Sequence, residues 1–193
     1  RMRVLGNSTV TVTLGPSPNR EAMTTVVPAD AIMDLTSLRR AAIARAGPQF
    51  PPPKMSPPVV AKGTLLIIGG GGVTQNMIDS FVESAGGKEA RLVVLPTAID
   101  DAEARKSGIP SFLRGQKVKS ITVLPQRWRD EVHTAVFKEA LEKATGIWFG
   151  GGRQWRFVDA YENTKAVELF NAVLERGGII AGSSAGASIQ AEY

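Results

Sequence analysis

The sequence predicts an α/β domain in which a parallel sheet is covered by helices on both faces. After residue 59, short apolar segments bounded by glycine or proline alternate with longer amphipathic segments. The apolar segments lack the polar alternation of a half-exposed strand, so we expect strands that are buried on both faces. The amphipathic segments between them provide the crossover helices that parallel strands require.

Five strands and six helices are predicted in this alternating region. The strands are Thr64–Ile68, Arg91–Leu95, Ser120–Leu124, Gly146–Phe149 and Gly178–Ala181. The helices are Thr74–Ala85, Asp101–Gly108, Ser111–Gly115, Asp130–Ala144, Arg156–Tyr161 and Thr164–Arg176. Sites in open parallel sheets lie at the carboxyl ends of the strands, so the loops after these strands are expected to carry the chemistry.

The chain is expected to have three parts. Residues 1–47 form a short β/α segment, and residues 48–58 form a proline-rich linker, because proline lacks the donor that helices and sheet interiors use. Residues 59–193 form the main α/β domain.

The N-terminal segment is predicted to contain a β-hairpin and a helix. The strands Met2–Leu5 and Thr9–Leu14 are rich in β-branched residues, and Gly6-Asn7 suits the turn between them. The helix covers Asp34–Ile43, with Asp34 as a candidate N-cap.

Composition excludes several classes of protein. The 193 residues include no cysteine and one histidine, so we expect neither disulfides, a metal site nor a cofactor. The longest apolar run is far shorter than a membrane span, and we expect a soluble protein, cytoplasmic or exported. The net charge of +5 comes from scattered cations, which disfavours a nucleic-acid groove.

The most informative motif follows the last predicted strand. Gly182–Gly186 has the pattern G-x-S-x-G, in which the central serine occupies a tight strand-to-helix turn. Ser184 is therefore the candidate nucleophile, and the backbone N–H of Ala185 is a candidate oxyanion donor. The neighbour Ser183 does not occupy the central position. The alternative is a glycine-rich turn with an incidental serine.

Two further glycine-rich segments follow strands at the same edge of the predicted sheet. Gly150–Gln154 could supply a second oxyanion donor from a glycine amide, with Gln154 holding substrate, or it could be only a flexible turn. Gly69–Gly72 does not fit a dinucleotide-binding pattern, because G-x-G-x-x-G counted from Gly69 would need a glycine where Thr74 stands.

Four segments of the predicted α/β domain form a combined pattern. They are GSSAGA at Gly182–Ala187, GGGRQ at Gly150–Gln154, IIGGG at Ile67–Gly71 and LPTA at Leu95–Ala98. In order and spacing, across about residues 59–193, they resemble the cyanophycinase and aspartyl-dipeptidase family of serine peptidases. The joint match is far more specific than any one of them.

This resemblance implies a fold, an activity and roles for individual residues. The fold would be a flavodoxin-like sheet similar to that of class I glutamine amidotransferases, and the activity hydrolysis of peptide or isopeptide bonds next to aspartate. Ser184 would be the nucleophile, Gly151 and Ala185 the oxyanion donors, and Gln154 a substrate contact. Arg153 stands where the family often has Asp or Asn, and its charge would attract a carboxylate and repel an arginine-rich substrate.

Two features depart from the family pattern. The family's general base is a histidine downstream of the serine, whereas the single histidine here is His133, upstream in a predicted helix. We therefore expect a domain that is incomplete after the elbow, whose base comes from a missing segment, a homodimer partner or another chain. Residues 1–47 resemble the strands and helix that close such domains at their C-terminal end, which suggests a permuted domain, a tandem junction or a partial record.

Two other functions remain open at this point. A non-catalytic binding module on the same fold would bind ligand without serine-dependent turnover. An α/β-hydrolase esterase shares G-x-S-x-G, although the sequence has no HGGG-type oxyanion loop, and an ester assay would separate it from a peptidase.

Overall fold

The computed structural model describes residues 2–17, 20–46, 62–128 and 130–191. The chain forms two compact units, Arg1–Pro57 and Pro58–Tyr193. The predicted linker at residues 48–58 lies outside the described residues.

The described residues of the first unit form two short antiparallel pairs and one helix. Strand β1 (Met2–Arg3) pairs with β4 (Ile32–Met33), and β2 (Val10–Leu14) pairs with β3 (Met23–Val27). Helix α1 spans Thr36–Ala46.

A hairpin and a helix are present as expected, but the predicted pairing of Met2–Leu5 with Thr9–Leu14 is wrong. The partner of β2 is β3, whose run MTTVV is as rich in β-branched residues as β2 itself and pairs over its full length. The hydroxyls of Thr13 and Thr24 lie 3.2 Å apart across this pair. Polarity alternation marks a strand but not its partner, which cross-strand contacts decide.

Asp34 lies two residues before α1, which begins at Thr36. Its Oδ1 accepts hydrogen bonds from the backbone N–H of Thr36 at 3.0 Å and from the Thr36 hydroxyl at 2.8 Å. The carboxylate therefore satisfies a backbone donor that has no partner within the helix.

The second unit has a five-stranded sheet in which every neighbouring pair is parallel. The strands are β5 (Thr64–Ile68), β6 (Arg91–Leu95), β7 (Ser120–Val123), β8 (Gly146–Phe149) and β9 (Ile179–Ser183), in the spatial order β5-β9-β8-β6-β7. This sheet confirms the predicted α/β fold class.

In the described residues of the second unit, six helices and three 3₁₀ turns accompany the sheet. The helices are α2 (Gln75–Ser84), α3 (Asp101–Lys106), α4 (Ala135–Lys143), α5 (Gln154–Tyr161), α6 (Lys165–Glu175) and α7 (Ala185–Ser188). The 3₁₀ turns are Gly87–Glu89, Ser111–Leu113 and Glu131–His133. No helix in the described part of the chain is both long and apolar enough to cross a bilayer.

The sheet separates two hydrophobic clusters, one on each face. Ile147 and Phe149 of β8 pack on the side of α4, α5 and α6, whereas Trp148 packs on the side of α2. Because side chains alternate along a strand, Ala181 and Ser183 of β9 share the face of Trp148. This alternation determines which face of the sheet lies beside each residue at the carboxyl ends.

The predicted helix Asp130–Ala144 is in fact broken. A 3₁₀ turn at Glu131–His133 ends at Thr134, whose ψ of 152° is extended, and α4 then begins at Ala135. The Thr134 hydroxyl donates to the carbonyl of Glu131 at 2.8 Å, a local bond that competes with helix propagation. The predicted helix Ser111–Gly115 is likewise only a 3₁₀ turn.

Candidate active site

Ser184 lies on a sharp turn between β9 and α7. Its φ of 51° and ψ of −112° are unusual for a residue with a side chain. The backbone N–H donates to the carbonyl of Ile68 at 2.9 Å, and the Ser184 carbonyl accepts from the amides of Ala187 and Ser188 at 3.0 Å each. The surrounding hydrogen bonds hold the strained turn, and the Ser184 side chain is exposed at the edge of the sheet.

Close backbone contacts require glycine at one position on each side of Ser184. A Cβ on Gly182 would overlap the carbonyl of Gly186, and a Cβ on Gly186 would overlap the carbonyl of Phe149. Helix α7 therefore crosses directly over β9 and the end of β8. The G-x-S-x-G pattern here reflects packing that no larger residue permits.

The loop after β8 brings Gly151 to this turn. A Cβ built on Gly151 would lie 3.6 Å from the carbonyl oxygen of Ser183 and 3.7 Å from Cβ of Ser184. The N–H of Gly150 donates to the carbonyl of Leu95 at 3.1 Å, which anchors the loop to the end of β6. Two of the predicted site residues, Gly151 and Ser184, are thus adjacent in the structure.

The loop after β6 supports the loop after β8. The N–H of Arg153 donates to the carbonyl of Ala98 at 2.9 Å, and Nη1 of Arg156 reaches the same carbonyl at 3.3 Å. Gly152 has φ of 141°, and a Cβ there would lie 2.5 Å from that oxygen. The conformation of Gly150–Arg153 therefore depends on the loop at Pro96–Ile99.

A buried hydrogen bond beneath these loops was not predicted from the sequence. The hydroxyls of Thr97 and Tyr161 lie 2.6 Å apart, and Tyr161 also donates to the carbonyl of Gln126 at 3.3 Å. Burial raises the pKa of the Tyr161 phenol above its usual range, with the Thr97 hydrogen bond opposing the rise. The sequence signal that could have indicated this bond is the presence of a threonine and a tyrosine among otherwise apolar core residues, because buried hydroxyl groups require hydrogen-bond partners.

The other predicted site residues lie on the same edge of the sheet. Arg153 precedes α5 as its N-cap residue and Gln154 is the first residue of that helix, and both side chains are exposed. Ala185 is the first residue of α7, directly after Ser184. His133 is exposed on a 3₁₀ turn that packs against α4 and α6.

A pocket of about 220 Å³ opens beside the elbow, between the carboxyl ends of β6, β8 and β9. Gly151 and Ser183 form part of its wall, whereas Ser184 is not among its lining residues. The pocket was not predicted from the sequence, because Ser107, Gly108, Pro110 and Phe112 in its wall lie in a segment that carries no motif.

No group of three or more His, Asp or Glu residues is placed to hold a metal ion within residues 2–17, 20–46, 62–128 and 130–191. The groups that surround the elbow are the Ser184 hydroxyl, backbone amides and exposed polar side chains.

Comparison with known proteins places residues 65–193 in one family, because the model of peptidase family S51 matches that range. Curated relatives include cyanophycinases of Nostoc sp. and Synechococcus elongatus. The Nostoc protein is 23% identical over 72% of this chain and 48% of its own length, and the Synechococcus protein is 27% identical over 68% and 42%. The chain thus spans about half the length of these relatives.

A solved structure supports the fold. The crystal structure of a peptidase from an acI-B1 Actinobacterium aligns with a TM-score of 0.56 and 22% identity, covering 65% of this chain and 55% of that one. The expected resemblance to the cyanophycinase and peptidase family is confirmed, and this chain belongs to peptidase family S51.

Proposed function

We propose that this protein is a serine peptidase that hydrolyses peptide or isopeptide bonds next to aspartate, with Ser184 as its nucleophile. The observation that carries the proposal is the elbow itself, where an exposed serine occupies a strained turn beside Gly151. Strain of about 1–3 kcal/mol at one residue persists where the surrounding structure imposes it, and such residues cluster at functional sites.

The reaction follows from this arrangement. The Ser184 hydroxyl attacks the carbonyl carbon of the substrate and loses its proton to a general base, while the carbonyl oxygen becomes negatively charged. The amides of Gly151 and Ala185 donate to that oxygen. The base then protonates the leaving amine, and water hydrolyses the acyl-enzyme to release the acid and regenerate Ser184.

The proposal does not assign the general base to His133 of the same chain. The single histidine of the sequence, His133, lies on a turn packed against α4 and α6 rather than in the loops around Ser184. A further segment of the protein, or a second copy in a homodimer, supplies the base in this proposal. A serine hydroxyl without a base is a weak nucleophile, so the rate of hydrolysis depends on the presence of the general base beside Ser184.

The substrate contacts proposed here are electrostatic and polar. Arg153 is exposed on the loop that carries Gly151, and a guanidinium binds carboxylates with good geometry. Gln154 adds an exposed amide at the next position. An acidic residue beside the scissile bond fits these two side chains, whereas an arginine-rich polymer would be repelled by Arg153.

Covalent labelling with a fluorophosphonate tests the nucleophile. In the protein whose site is completed by the general base, we expect mass spectrometry to locate the adduct on Ser184, with labelling lost in Ser184→Ala and retained in the matched control Ser183→Ala. A folded protein that remains unlabelled while binding acidic peptides would favour the non-catalytic binding module. Label on Ser183 would contradict the assignment of the nucleophile.

A further inference from the structure

We infer that Thr97, held by Tyr161, is a positioning residue for the proposed reaction. It fixes the turn Leu95–Ile99, which we call the β6 turn, and this turn fixes Gly151 beside Ser184. The inference rests on the proposed function and adds to it two buried residues that act on the nucleophile's surroundings from beneath.

The loop that carries Gly151 is attached to the β6 turn on both sides of that glycine. On one side, the N–H of Gly150 donates to the carbonyl of Leu95 at 3.1 Å. On the other side, the N–H of Arg153 donates to the carbonyl of Ala98 at 2.9 Å. Because both acceptors belong to one turn, the shape of that turn sets the position of Gly151.

Thr97 is the central residue of the β6 turn. The turn is closed by a hydrogen bond from the N–H of Ile99 to the carbonyl of Pro96 at 3.2 Å. The Thr97 side chain points into the core and is 0% exposed, so it has no access to a substrate. Since Thr97 directly precedes Ala98, a rotation of its backbone would redirect the carbonyl to which the next loop is bonded.

Tyr161 holds the Thr97 hydroxyl in one place. The two hydroxyl oxygens lie 2.6 Å apart, and the phenol donates its single proton to the carbonyl of Gln126 at 3.3 Å. The Thr97 hydroxyl therefore donates to the phenol oxygen. The ring of Tyr161 lies against those of Phe137 and Phe170, with centroids 5.9 and 5.2 Å away, so the phenol is anchored in the core.

This anchoring connects the hydroxyl pair to the reactivity of Ser184. In the proposed function, the amide of Gly151 donates to the oxygen that becomes negatively charged. Loss of one such donor costs about 100–1,000-fold in rate, and displacement of a reacting group by about 1 Å can cost about 100-fold. A β6 turn released from Tyr161 would hold Gly151 less well, so the reaction would slow although no group at the elbow had changed.

The rate of fluorophosphonate labelling tests this inference in the protein whose site is completed by the general base. Thr97→Val keeps the shape of the side chain and removes its hydroxyl, whereas Thr97→Ser keeps the hydroxyl. We expect Thr97→Val to lower the maximal rate constant of labelling at least about tenfold, and to change the probe concentration at half that rate less than about twofold, because an oxyanion donor acts in the transition state. Labelling of Thr97→Ser should stay within about threefold of the unaltered protein, because its hydroxyl can still reach the phenol.

Thr145→Val is a matched control at the other end of the sheet. The Thr145 hydroxyl accepts a hydrogen bond from the N–H of Arg91 at 2.9 Å, where β6 begins and just before β8 begins. Its removal also takes away one hydroxyl hydrogen bond, but at the amino ends of the strands, whereas Ser184 follows the carboxyl end of β9. We expect this variant to lose stability and to be labelled at the unaltered rate.

A double variant separates positioning from stability. Thr97→Val combined with Tyr161→Phe leaves no buried hydroxyl without a partner, so it should recover part of the stability that Tyr161→Phe loses. Its rate of labelling should remain low, because the β6 turn is still not bonded to the core. All variants are compared at a temperature where circular dichroism shows them to be folded, and the double variant carries the test if a single variant does not fold.

The outcomes distinguish this inference from the proposed function. Unaltered labelling of Thr97→Val, slow labelling of Thr97→Ser or Thr145→Val, or a double variant that regains its rate together with its stability would overturn the positioning role and leave the nucleophile in place. If the unaltered protein is not labelled at Ser184, the proposed nucleophile fails, and this inference fails with it.

Discussion

Two glycine-rich segments at the carboxyl ends of the strands look alike in sequence and differ in structure. In the elbow, an added Cβ on Gly182 or Gly186 would overlap a backbone carbonyl. In Gly69–Gly72, after β5, an added Cβ would have no atom within 4 Å at any of the four positions. The elbow is closely packed against neighbouring backbone, and we call it the braced segment. The segment Gly69–Gly72 has free space beside each Cα, and we call it the open segment.

This difference shows where glycine is required by packing. At the elbow, α7 crosses over the end of β8, and this crossing leaves no room for a side chain on Gly186. Close contacts continue in the neighbouring loops, where Gly152 packs against the carbonyl of Ala98, next to the Thr97–Tyr161 hydrogen bond. After β5, only Gly71, with φ of 83°, has a conformation that favours glycine.

The largest expected effect comes from an alanine in the braced segment. Gly186→Ala would force its Cβ into the Phe149 carbonyl, so we expect the free energy of unfolding to fall by at least about 3 kcal/mol, the upper end of overpacking costs. Urea unfolding measures it. The matched control Gly70→Ala should change it by less than about 0.5 kcal/mol. Equal losses in the two variants would remove the distinction between braced and open segments.

A smaller loss of stability is expected when the buried hydrogen bond between Thr97 and Tyr161 is removed. Tyr161→Phe leaves the buried Thr97 hydroxyl without its 2.6 Å partner, which should cost about 1–3 kcal/mol of unfolding free energy. Thr97→Val in the same protein should recover part of this loss, because both polar partners are then gone. A double variant as unstable as the sum of the single ones would show that the pair is not coupled.

The same tyrosine also predicts a pH dependence. The folded-state pKa of Tyr161 is raised above its ordinary value of 10.0 by burial. The stability that protonated Tyr161 contributes to the folded state is therefore fully present below pH 10, and it is lost as the pH rises above 10, because the unfolded state releases the proton first. In that range the free energy of unfolding falls with a slope that approaches about 1.4 kcal/mol per pH unit. Unfolding measured between pH 9 and 11 should show a shallower decline in Tyr161→Phe.

The smallest effect is a gain in stability at the nucleophile. Ser184→Gly should raise the free energy of unfolding by about 1 kcal/mol, because glycine adopts a φ of 51° without a steric penalty. Ser183→Gly, at an ordinary φ in β9, should instead lower it by about 0.5–1 kcal/mol. If both variants are destabilised equally, the strain assigned to the elbow is absent.

Most of the sheet could be predicted from the sequence, and the N-terminal pairing could not. The five strands of the second unit match their predicted positions to within two residues, because short apolar runs between glycine and proline are distinctive. In contrast, β3 was overlooked as the partner of β2, and the break at Thr134 depends on one local hydrogen bond. The β-branched run of β3 is visible in the sequence but does not identify its partner, whereas the break at Thr134 leaves the apolar spacing of that segment unchanged.

By itself, the sequence determined the elbow, because the requirement for glycine on both sides of Ser184 is expressed within five consecutive residues. Only the tertiary structure decided what surrounds it. The Thr97–Tyr161 bond joins residues 64 positions apart, and the pocket is built from Phe112, Trp148 and Ser183, which separate strands and loops contribute. Contacts over such separations arise from the order of strands in the sheet, which local patterns of polarity do not encode.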